Sequence, residues 1–369
     1  RETLFRQEGP GGVTFRIPAL LHVPPHTLLA FAEKRSSNRD EDAEFLVLRQ
    51  GHTDPCRSHQ WGPMEELTEL TLPDHRTMNP CPLYEAASGA VILFCICVER
   101  HITEWHQIAT GRSATRLCCS SSPDRGRTWS PLRDLTDQTI GADLSRWATF
   151  AVGPGHGVQL DSGRLAVPAY AYYVHGRLCG VPLPCCTRPH SFVFYSDDRG
   201  RSWRKGSLLR GMRTGECQVA EIAAEDGGTL LYCSARRPCR CRAVALSVDR
   251  GQRFGCPTRC PALCEPPHGC QGSVVSFNPN GGTRRWLLYS HPTNKHHRRD
   301  LGLYVNTAPP SEGGWRHPRV LQEGPCGYSD LAVCPDGVFG CLFERGEVNA
   351  YEEIAFCLFT LDAVGGTED

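Results

Sequence analysis

Short apolar runs recur along the whole chain, and turn-forming residues interrupt them. Residues 46–48 read Leu-Val-Leu, residues 286–289 read Trp-Leu-Leu-Tyr, and the longest run covers residues 90–98. The 28 prolines and 37 glycines are spread between such runs rather than collected in one tract. Many short strands with recurrent turn signals are typical of an all-β domain. Residues 90–98 are too few to cross a bilayer as a helix, which takes about 20 residues, so this run predicts a buried strand.

An eight-residue pattern repeats along the chain. It occurs as Ser122-Pro-Asp-Arg-Gly-Arg-Thr-Trp129 and as Ser196-Asp-Asp-Arg-Gly-Arg-Ser-Trp203, with a degenerate third copy from Ser247 to Phe254. Asp accepts hydrogen bonds from its own backbone and Gly adopts a positive φ without strain, so each copy predicts a turn. The second and third copies start 51 residues apart, close to the roughly 50-residue repeat of a propeller blade. The longer first interval predicts a blade plus an inserted loop at residues 173–189.

Length and charge favour one large domain. The 369 residues exceed the usual ~150 residues of a domain, but propellers grow by adding blades. No linker-like segment divides the chain, so we expect a single domain over residues 1–369. The 40 basic residues balance the 40 acidic residues, which gives no electrostatic reason to expect a nucleic-acid partner.

Cysteine usage indicates reduced thiols. The count of 21 is odd, and pairs such as Cys118-Cys119 and Cys185-Cys186 are adjacent, which disfavours a secreted disulfide framework. The chain has no Asn-x-Ser/Thr sequon and opens without a signal-type apolar core, so we expect a cytosolic location or peripheral contact with the plasma or endosomal membrane. An exposed apolar loop or an acylated cysteine would provide that contact. Clusters such as residues 256–264 lack paired zinc spacings, and we predict no metal and no cofactor.

Several charged residues stand beside apolar runs, where burial is costly without a partner. Arg16 lies in Phe15-Arg-Ile-Pro18, Arg236 follows the run 230–235, and Arg298 follows residues 289–292. Taken singly, each arginine is more often a surface residue. Together they form a candidate site for an anion. Acidic and phenolic residues in comparable settings are Glu216, Glu221, Glu344 and Tyr328.

These residues and motifs resemble the animal exo-α-sialidases over nearly the whole chain. The motifs that carry the resemblance are Phe15-Arg-Ile-Pro18, the repeated Asp pattern, Arg76-Thr-Met-Asn-Pro80, Trp147-Ala-Thr-Phe-Ala-Val-Gly-Pro-Gly-His156 and Gly269-Cys-Gln-Gly-Ser273. Among the branches, the chain is most similar to the membrane-associated, ganglioside-preferring one. The segments that indicate this branch are Phe31-Ala-Glu-Lys-Arg-Ser36, Cys264-Glu-Pro-Pro-His-Gly-Cys270 and Pro325-Cys-Gly-Tyr-Ser-Asp330.

The resemblance implies a six-bladed β-propeller, the sialidase fold, whose repeated patterns are Asp-box turns. It also implies an enzyme that hydrolyses terminal sialic acid from glycolipids (gangliosides) and other sialoglycoconjugates, including glycoproteins. Arg16, Arg236 and Arg298 match the family positions that bind the substrate carboxylate, which suits guanidinium geometry. Glu344 would hold Arg16 in place.

The resemblance further implies a retaining mechanism with a tyrosine nucleophile, which is the documented exception among glycosidases. Tyr328 would attack, Glu216 would be its base, and Asp40 would be the acid/base. On the residues alone, Glu221 is a rival to Glu216. Because Asp40 must be protonated to act as an acid, we expect an acidic optimum. The residues expected to line the rest of the pocket are Arg35, Asn79, Glu104, Tyr170, Tyr172 and Gln271.

Two other functions remain open on the sequence. A catalytically silent propeller that binds sialylated glycans as a lectin would keep the arginines without needing Asp40 or Tyr328. A trans-sialidase would use the same centre together with an acceptor site that excludes water. Product analysis with an added galactoside would separate transfer from hydrolysis.

Overall fold

The structure, a computed structural model, describes residues 1–53, 59–238, 240–282 and 284–364. Most elements are short strands, which confirms the predicted all-β class. The strands, in chain order, are β1 Glu2–Arg6, β2 Thr14–Val23, β3 Thr27–Arg35, β4 Ala43–Thr53, β5 His59–Trp61, β6 Glu65–Glu66, β7 His75–Glu85, β8 Ala90–Glu99, β9 Thr115–Ser122, β10 Arg133–Asp134, β11 Trp147–Val152, β12 Val158–Gln159, β13 Leu165–Val174, β14 Arg177–Leu178, β15 Val181–Pro182, β16 Thr187–Ser196, β17 Arg204–Lys205, β18 Cys217–Ala223, β19 Thr229–Ala235, β20 Arg240–Ser247, β21 Thr258–Glu265, β22 Ser273–Phe277, β23 Trp286–Pro292, β24 Arg299–Asn306, β25 Arg319–Val333, β26 Val338–Arg345 and β27 Glu353–Thr360.

Helices are short and lie between the strands. The α-helices in the described part of the chain are α1 Glu104–Thr110 and α2 Thr136–Thr139. The 3-10 helices there are Asp40–Asp42, Gly141–Arg146, Pro184–Cys186, Pro279–Gly281, Glu312–Gly314, Pro335–Gly337 and Leu361–Val364. The inserted loop expected at residues 173–189 is shorter in the structure, because residues 173–174 and 187–189 pair with each other or with a neighbouring residue as parts of β13 and β16. Residues 175–186 lie between these strands and contain the hairpin β14–β15.

Neighbouring strands pair antiparallel and form a series of sheets along the chain. The first four sheets are β2-β3-β4-β5, β7-β8-β9-β10, β11-β13-β16-β17 and β18-β19-β20-β21, with β6 beside β4 and β12 beside β13. The last is β22-β23-β24-β25-β26-β27-β1, so β1 completes the last sheet. The first strands of different sheets contact one another, as β2 does with β7 and β18 does with β22. This arrangement of sheets is propeller-like.

The strands nearest the common axis are buried on both faces. In β2 and β7 all but one or two residues are buried, whereas β6 and β10 are exposed. Strands buried on both faces read as continuous apolar runs rather than as alternating ones. The same reason explains the run at residues 90–98, which forms β8 as predicted.

The buried carboxylate of Asp330 on β25 joins the strands around the axis. Its Oδ2 accepts a hydrogen bond from the backbone N of Leu20 on β2 at 2.8 Å. Its Oδ1 accepts from Oγ of Ser273 on β22 at 2.8 Å and lies 2.7 Å from Nδ1 of His156. A fully buried carboxylate requires polar partners, and these three partners bring separate sheets to one point.

Each copy of the repeated pattern forms a turn before the outermost strand of its sheet. In the first copy, Asp124 Oδ1 accepts from the backbone N of Thr128 at 2.8 Å and from Oγ of Ser122 at 2.9 Å. The second copy forms the same bonds. In the degenerate third copy, the backbone N of Arg253 donates to Asp249 Oδ1 at 2.8 Å. The turn therefore survives the loss of the hydroxyl.

The glycines of these turns pack against the preceding sheet. A Cβ at Gly200 would lie 2.6 Å from Cδ1 of Ile92, and one at Gly251 would lie 2.6 Å from Cγ2 of Val193. Both glycines also have a positive φ, of 83° and 90°. Only glycine satisfies both demands, so each turn locks its sheet onto the previous one.

The thiols in the described part of the chain are free, and most of them are buried. The exceptions to full burial are Cys179, Cys185, Cys186 and Cys256. Within the same residues, no group of three or more His, Cys, Asp or Glu side chains could hold a metal ion. No helix among them is long and apolar enough to span a membrane.

We expect Gly200→Ala to destabilise the fold more than Gly163→Ala does. Gly163 has a φ of 87°, but a Cβ added there would meet no atom within 4 Å. Both variants lose about 1–2 kcal/mol of unfolding free energy, because alanine is strained in the left-handed region. Gly200→Ala loses about 1–3 kcal/mol more through overpacking against Ile92. Chemical denaturation measures both losses, and equal values would contradict the lock between sheets.

Candidate active site

The side chains of the candidate site stand where inner strands depart from regular pairing. The pairing register shifts just after Arg16 on β2, around Asn79 on β7 and around Tyr328 on β25. A bulge re-aims a side chain and is common next to active sites. Bulges on three strands thus turn these side chains towards one end of the ring.

The buried carboxylate of Glu344 on β26 fixes two of these strands. Its Oε1 accepts from Nε of Arg16 at 2.8 Å and from the backbone N of Ile17 at 3.0 Å. Its Oε2 accepts from the backbone N of Tyr328 at 2.9 Å. Ile17 has a φ of 61°, which is costly for a β-branched residue unless the surroundings impose it. Glu344 imposes it and holds Arg16 as the sequence analysis expected.

These strands open onto a cavity of about 700 Å³. Charged and aromatic side chains from separate sheets form its wall. The sequence-predicted residues that the structure places on this wall are Arg16, Arg35, Asp40, Asn79, Glu104, Tyr170, Tyr172, Glu216, Arg236, Arg298 and Tyr328.

Tyr328 and Glu216 form a short polar contact on the cavity wall. The phenol Oη of Tyr328 donates to Glu216 Oε1 at 2.5 Å. Nη1 of Arg236 donates to the other carboxylate oxygen at 2.7 Å and to the phenol oxygen at 3.0 Å. Desolvation and the charge of Glu216 raise the pKa of Tyr328 well above its usual value, although nearby arginines oppose this rise. The phenol is therefore neutral, and its hydroxyl hydrogen is directed at the Glu216 carboxylate.

Arg16, Arg236 and Arg298 surround the Tyr328 side chain. The guanidinium carbons of Arg16 and Arg298 lie 5.3 and 5.6 Å from the centre of the phenol ring. Arg298 uses Nη2 for the carbonyl of Gly269 at 2.9 Å. Within the described residues, Arg298 makes no other side-chain hydrogen bond, so it keeps N–H donors for an anion. The three arginines form the converging cluster that the sequence analysis predicted.

Asp40 forms an ion pair with Arg35. Its Oδ1 is 2.6 Å from Nη1 of Arg35, and its side chain is 68% exposed to the cavity and solvent. The same arginine is buried and donates to Glu33 Oε2 through Nη2 at 2.6 Å. Glu33 Oε1 in turn accepts from the backbone N of Asn79 at 2.7 Å. Glu33 thereby fixes both Arg35 and Asn79.

The charge state of Asp40 differs from the one that the predicted acidic optimum needs. Desolvation alone would raise the pKa of Asp40, but Arg35, Arg16 and Arg76 together hold that pKa below its usual value. The free protein therefore keeps Asp40 ionised at mildly acidic pH. The expectation of an acidic optimum was based on the acid/base role of Asp40. It did not include the three arginines that the fold places around this carboxylate.

Glu104 begins α1 on the cavity wall. The preceding residue, Thr103, caps this helix by accepting from the backbone N of His106 at 3.0 Å. The pKa of Glu104 is raised to about 7, first by desolvation within the cavity and then by the negative charges of Asp40 and Glu216. Glu104 is thus a carboxyl group that titrates near neutral pH.

Two residues considered from sequence lie elsewhere. Gln271, predicted to line the pocket, is buried beneath it, where its amide nitrogen donates to the carbonyls of Pro154 and Ser329. Its side-chain amide is thus already committed to the backbone. Glu221, the rival base, accepts from Arg285 at 3.1 Å and lines a different cavity. Glu216 alone of the two acids contacts the phenol.

The cavity also contains residues that the sequence analysis did not single out. Arg76 donates to the carbonyl of Ile102 at 2.7 Å, and the Arg16 guanidinium lies 4.2 Å from the ring centre of Tyr351. Arg76 and Glu33 both stand inside motifs that carry the family resemblance. Their position in these motifs is a signal from which a role at the site could have been predicted. Tyr351 stands in no such motif.

Comparisons with known proteins identify the family of this chain. The family model described as BNR repeat-like domain matches residues 26–341. Human Sialidase-3 is 53% identical over 97% of this chain and 91% of its own length. Mouse Sialidase-2 is 45% identical over 98% of this chain and 95% of its own length.

A solved structure extends the likeness to the fold. The Hadza microbial sialidase Hz136 superposes with a TM-score of 0.78 at 22% identity over 95% of this chain. The chain spans 66% of the length of that protein. At this identity the likeness concerns the fold alone.

Fold, cavity and curated relatives define a glycoside hydrolase of the exo-α-sialidase class. The chain belongs to the animal sialidase family, and it is more similar to human Sialidase-3 than to mouse Sialidase-2.

We expect Asp40→Asn to lower the pKa of Glu104, because it removes a negative charge that raises this pKa. A raised carboxyl pKa means that the proton is lost only as the pH rises through about 7, so removing the charge moves this loss to lower pH. Side-chain carboxyl ¹³C NMR, with Glu104→Gln to assign the signal, measures the midpoint. The exposed Glu347→Gln serves as control, and a midpoint unchanged in Asp40→Asn would contradict the coupling.

Proposed function

We propose that this protein releases terminal sialic acid from gangliosides and other sialylated glycoconjugates by a retaining mechanism with Tyr328 as nucleophile. The observation that carries the proposal is the 2.5 Å contact between the Tyr328 phenol and the Glu216 carboxylate, beside three arginines. A carboxylate nucleophile would be repelled by the carboxylate on the anomeric carbon of sialic acid. A neutral phenol avoids this repulsion until a base takes its proton.

Substrate binding rests on the arginine cluster. Arg16, Arg236 and Arg298 would form charge-assisted hydrogen bonds with the substrate carboxylate. Arg35, Asn79 and Glu104 stand on the wall where the sugar's ring substituents would meet polar groups. Tyr170 and Tyr172, whose rings lie 6.3 Å apart, add an aromatic face to the same wall.

In the first displacement, Tyr328 Oη bonds to the anomeric carbon as the bond to the leaving oxygen breaks. Glu216 takes the phenol proton, and Asp40 gives a proton to the leaving oxygen. In the second displacement, a water oxygen bonds to the anomeric carbon and the bond to Tyr328 breaks. Asp40 takes the water proton, and Glu216 returns its proton to Tyr328. Two displacements at one carbon retain its configuration.

Substrate binding would change the balance of charges around Asp40. The Arg16 charge that lowers the pKa of Asp40 would be neutralised by the substrate carboxylate, which would also add a negative charge nearby. Both changes raise the pKa of Asp40, so protonation of Asp40 is more favourable in the bound complex than in the free protein. An acidic optimum then reflects the complex rather than the free protein.

The architecture also supports a finer description. We infer six blades around the axis, because β25 pairs with β24 through its first half and with β26 through its second half. The seven-stranded sheet then counts as two blades. The bonds made by Asp124, Asp198 and Asp249 fit Asp-box turns. We further infer that residues 1–369 form one domain; residues 365–369 lie outside the described part.

Contact with a membrane surface is supported by an apolar rim beside the cavity. Trp105 on α1 is 75% exposed, and Leu178 and Val181 on the hairpin β14–β15 are 65% and 64% exposed. The hairpin sits against the helix, since a Cβ at Gly111 would lie 2.3 Å from Cγ of Pro182. Apolar and aromatic side chains gathered in this way suit an interfacial position, which would present the cavity to glycolipid headgroups.

We expect Tyr328→Phe to lower kcat by at least about a thousandfold, because the nucleophilic oxygen is lost. Tyr84→Phe, which changes a tyrosine away from the cavity, should leave kcat unchanged. Release of fluorophore from a sialic acid glycoside at mildly acidic pH measures both variants. A wild type that binds sialic acid without turnover would instead indicate a lectin, and sialylation of an added galactoside would indicate a trans-sialidase.

We expect Trp105→Ser combined with Leu178→Ser to weaken binding to lipid vesicles by about tenfold or more, since two apolar side chains that the lipid would bury are removed. Val248→Ser removes an apolar residue that is even more exposed, at 83%, from one of the repeated turns and should have no effect. Vesicle sedimentation measures the binding. An equal loss in the control would show that the rim is not the contact surface.

A further inference from the structure

A second cavity, of about 290 Å³, adjoins the candidate active site. Arg213 lines both cavities, so the two meet at this side chain. Arg213 also precedes Glu216 by three residues, a separation of at most about 10 Å along an extended chain. A group held in the second cavity would therefore lie close to the reacting centre. The residues that line it are His175, Arg188, His190, Arg210, Gly211, Met212 and Arg213.

The wall of this second cavity is basic. It contains Arg and His side chains from β16 and from the segments beside it, and no Asp or Glu is among the described residues that line it. The side chains of Arg188 and Arg213 are exposed and make no hydrogen bond or ion pair within the described part of the chain. The Arg210 guanidinium lies 5.2 Å from the ring centre of Tyr173. The guanidinium groups of Arg188 and Arg213 therefore keep N–H donors for an anion.

Two histidines complete the wall and have one consistent arrangement of protons. Nδ1 of His190 lies 2.8 Å from the carbonyl oxygen of Leu209, so it carries a proton. Nε2 of neutral His190 then accepts from Nε2 of His175, 2.8 Å away. Desolvation, Arg210 and Arg188 lower the pKa of both histidines. After desolvation, the positive charges of Arg210 and Arg188 are thus a further cause that disfavours protonation of these histidines.

We propose that this cavity is a second anion site, which binds a carboxylate or phosphate group carried close to the sialic acid that is removed. The proposal rests on the proposed function, because it deepens the substrate preference of the same site. Two sources supply such a group: a second acidic sugar on the same glycan, or an anionic headgroup of the lipid surface. Guanidinium groups bind carboxylate and phosphate in the same bidentate way.

The test compares substrates with and without the second anion. We expect Arg188→Ser combined with Arg210→Ser to raise KM about tenfold for a soluble oligosaccharide with two sialic acids, if the anion is a sugar. If the anion is a headgroup, KM rises about as much for a monosialylated glycolipid in phosphatidylserine vesicles, but not in phosphatidylcholine vesicles. In either case KM for a soluble monosialylated oligosaccharide stays within about twofold of wild type. Arg127→Ser, an exposed arginine on the first repeated turn, should change none of these values.

Two outcomes of this KM comparison overturn the proposal. The first is an unchanged KM in every arm. The second is an equal loss with the soluble monosialylated substrate, which would mean that the arginines act only on the shape of the main cavity.

A direct binding measurement separates failure of this site from failure of the proposed function. Calorimetric titration with inorganic phosphate needs no turnover. Binding that persists in Arg298→Ala and disappears in the Arg188→Ser, Arg210→Ser variant supports the second site, whether or not the protein cleaves sialosides. Phosphate binding that is unchanged in the latter variant overturns it.

Discussion

The site depends on one buried carboxylate. Glu344 is fully buried, and an unpaired charge there would cost several kcal/mol, so both of its oxygens need hydrogen-bond donors. Its partners are the Arg16 side chain and two backbone N–H groups on different strands. Gly327 makes this approach feasible, because a Cβ there would lie 2.3 Å from Oε2 of Glu344. The unusual backbone at Ile17 and the position of Tyr328 are thus consequences of satisfying one acid.

Much of the fold could be predicted because its signals are local. The hydrogen-bonding groups of each repeated turn lie within a few residues of each other in the sequence. The turn at residues 122–129 could therefore be predicted from those residues alone. The long strand β25 shows the limit of local reasoning. It serves two sets of partners, which change between Pro325 and Cys326. A Gly-Pro pair at residues 324–325 stands at this position, but such a pair in a sequence does not distinguish the end of a strand from a change of partner within it.

Residues of the candidate site were predictable where residue type and motif agreed. They were less predictable where long-range packing determines the position or the charge state of a side chain. Arg16, Glu216 and Tyr328 meet in the cavity although more than a hundred residues separate Glu216 from Tyr328. Gln271 was predicted to line the pocket but is buried beneath it. A polar side chain in a matching motif can form hydrogen bonds with backbone groups as readily as with a ligand. The charge state of Asp40 depends on arginines from three strands, β2, β3 and β7, whose relative positions a single sequence does not give.

The pairing of β1 with β27 has a consequence for how the protein is made. Glu2 lies opposite Phe356, so β1 leaves the ribosome about 350 residues before its partner, roughly 20–70 s at ordinary synthesis rates. Until then the last sheet lacks its outer strand, and no hydrogen bonds join the two ends of the ring there. Strand β1 therefore pairs with β27 only after synthesis of the last sheet is complete, and until then its unpaired backbone groups are open to pairing with other strands.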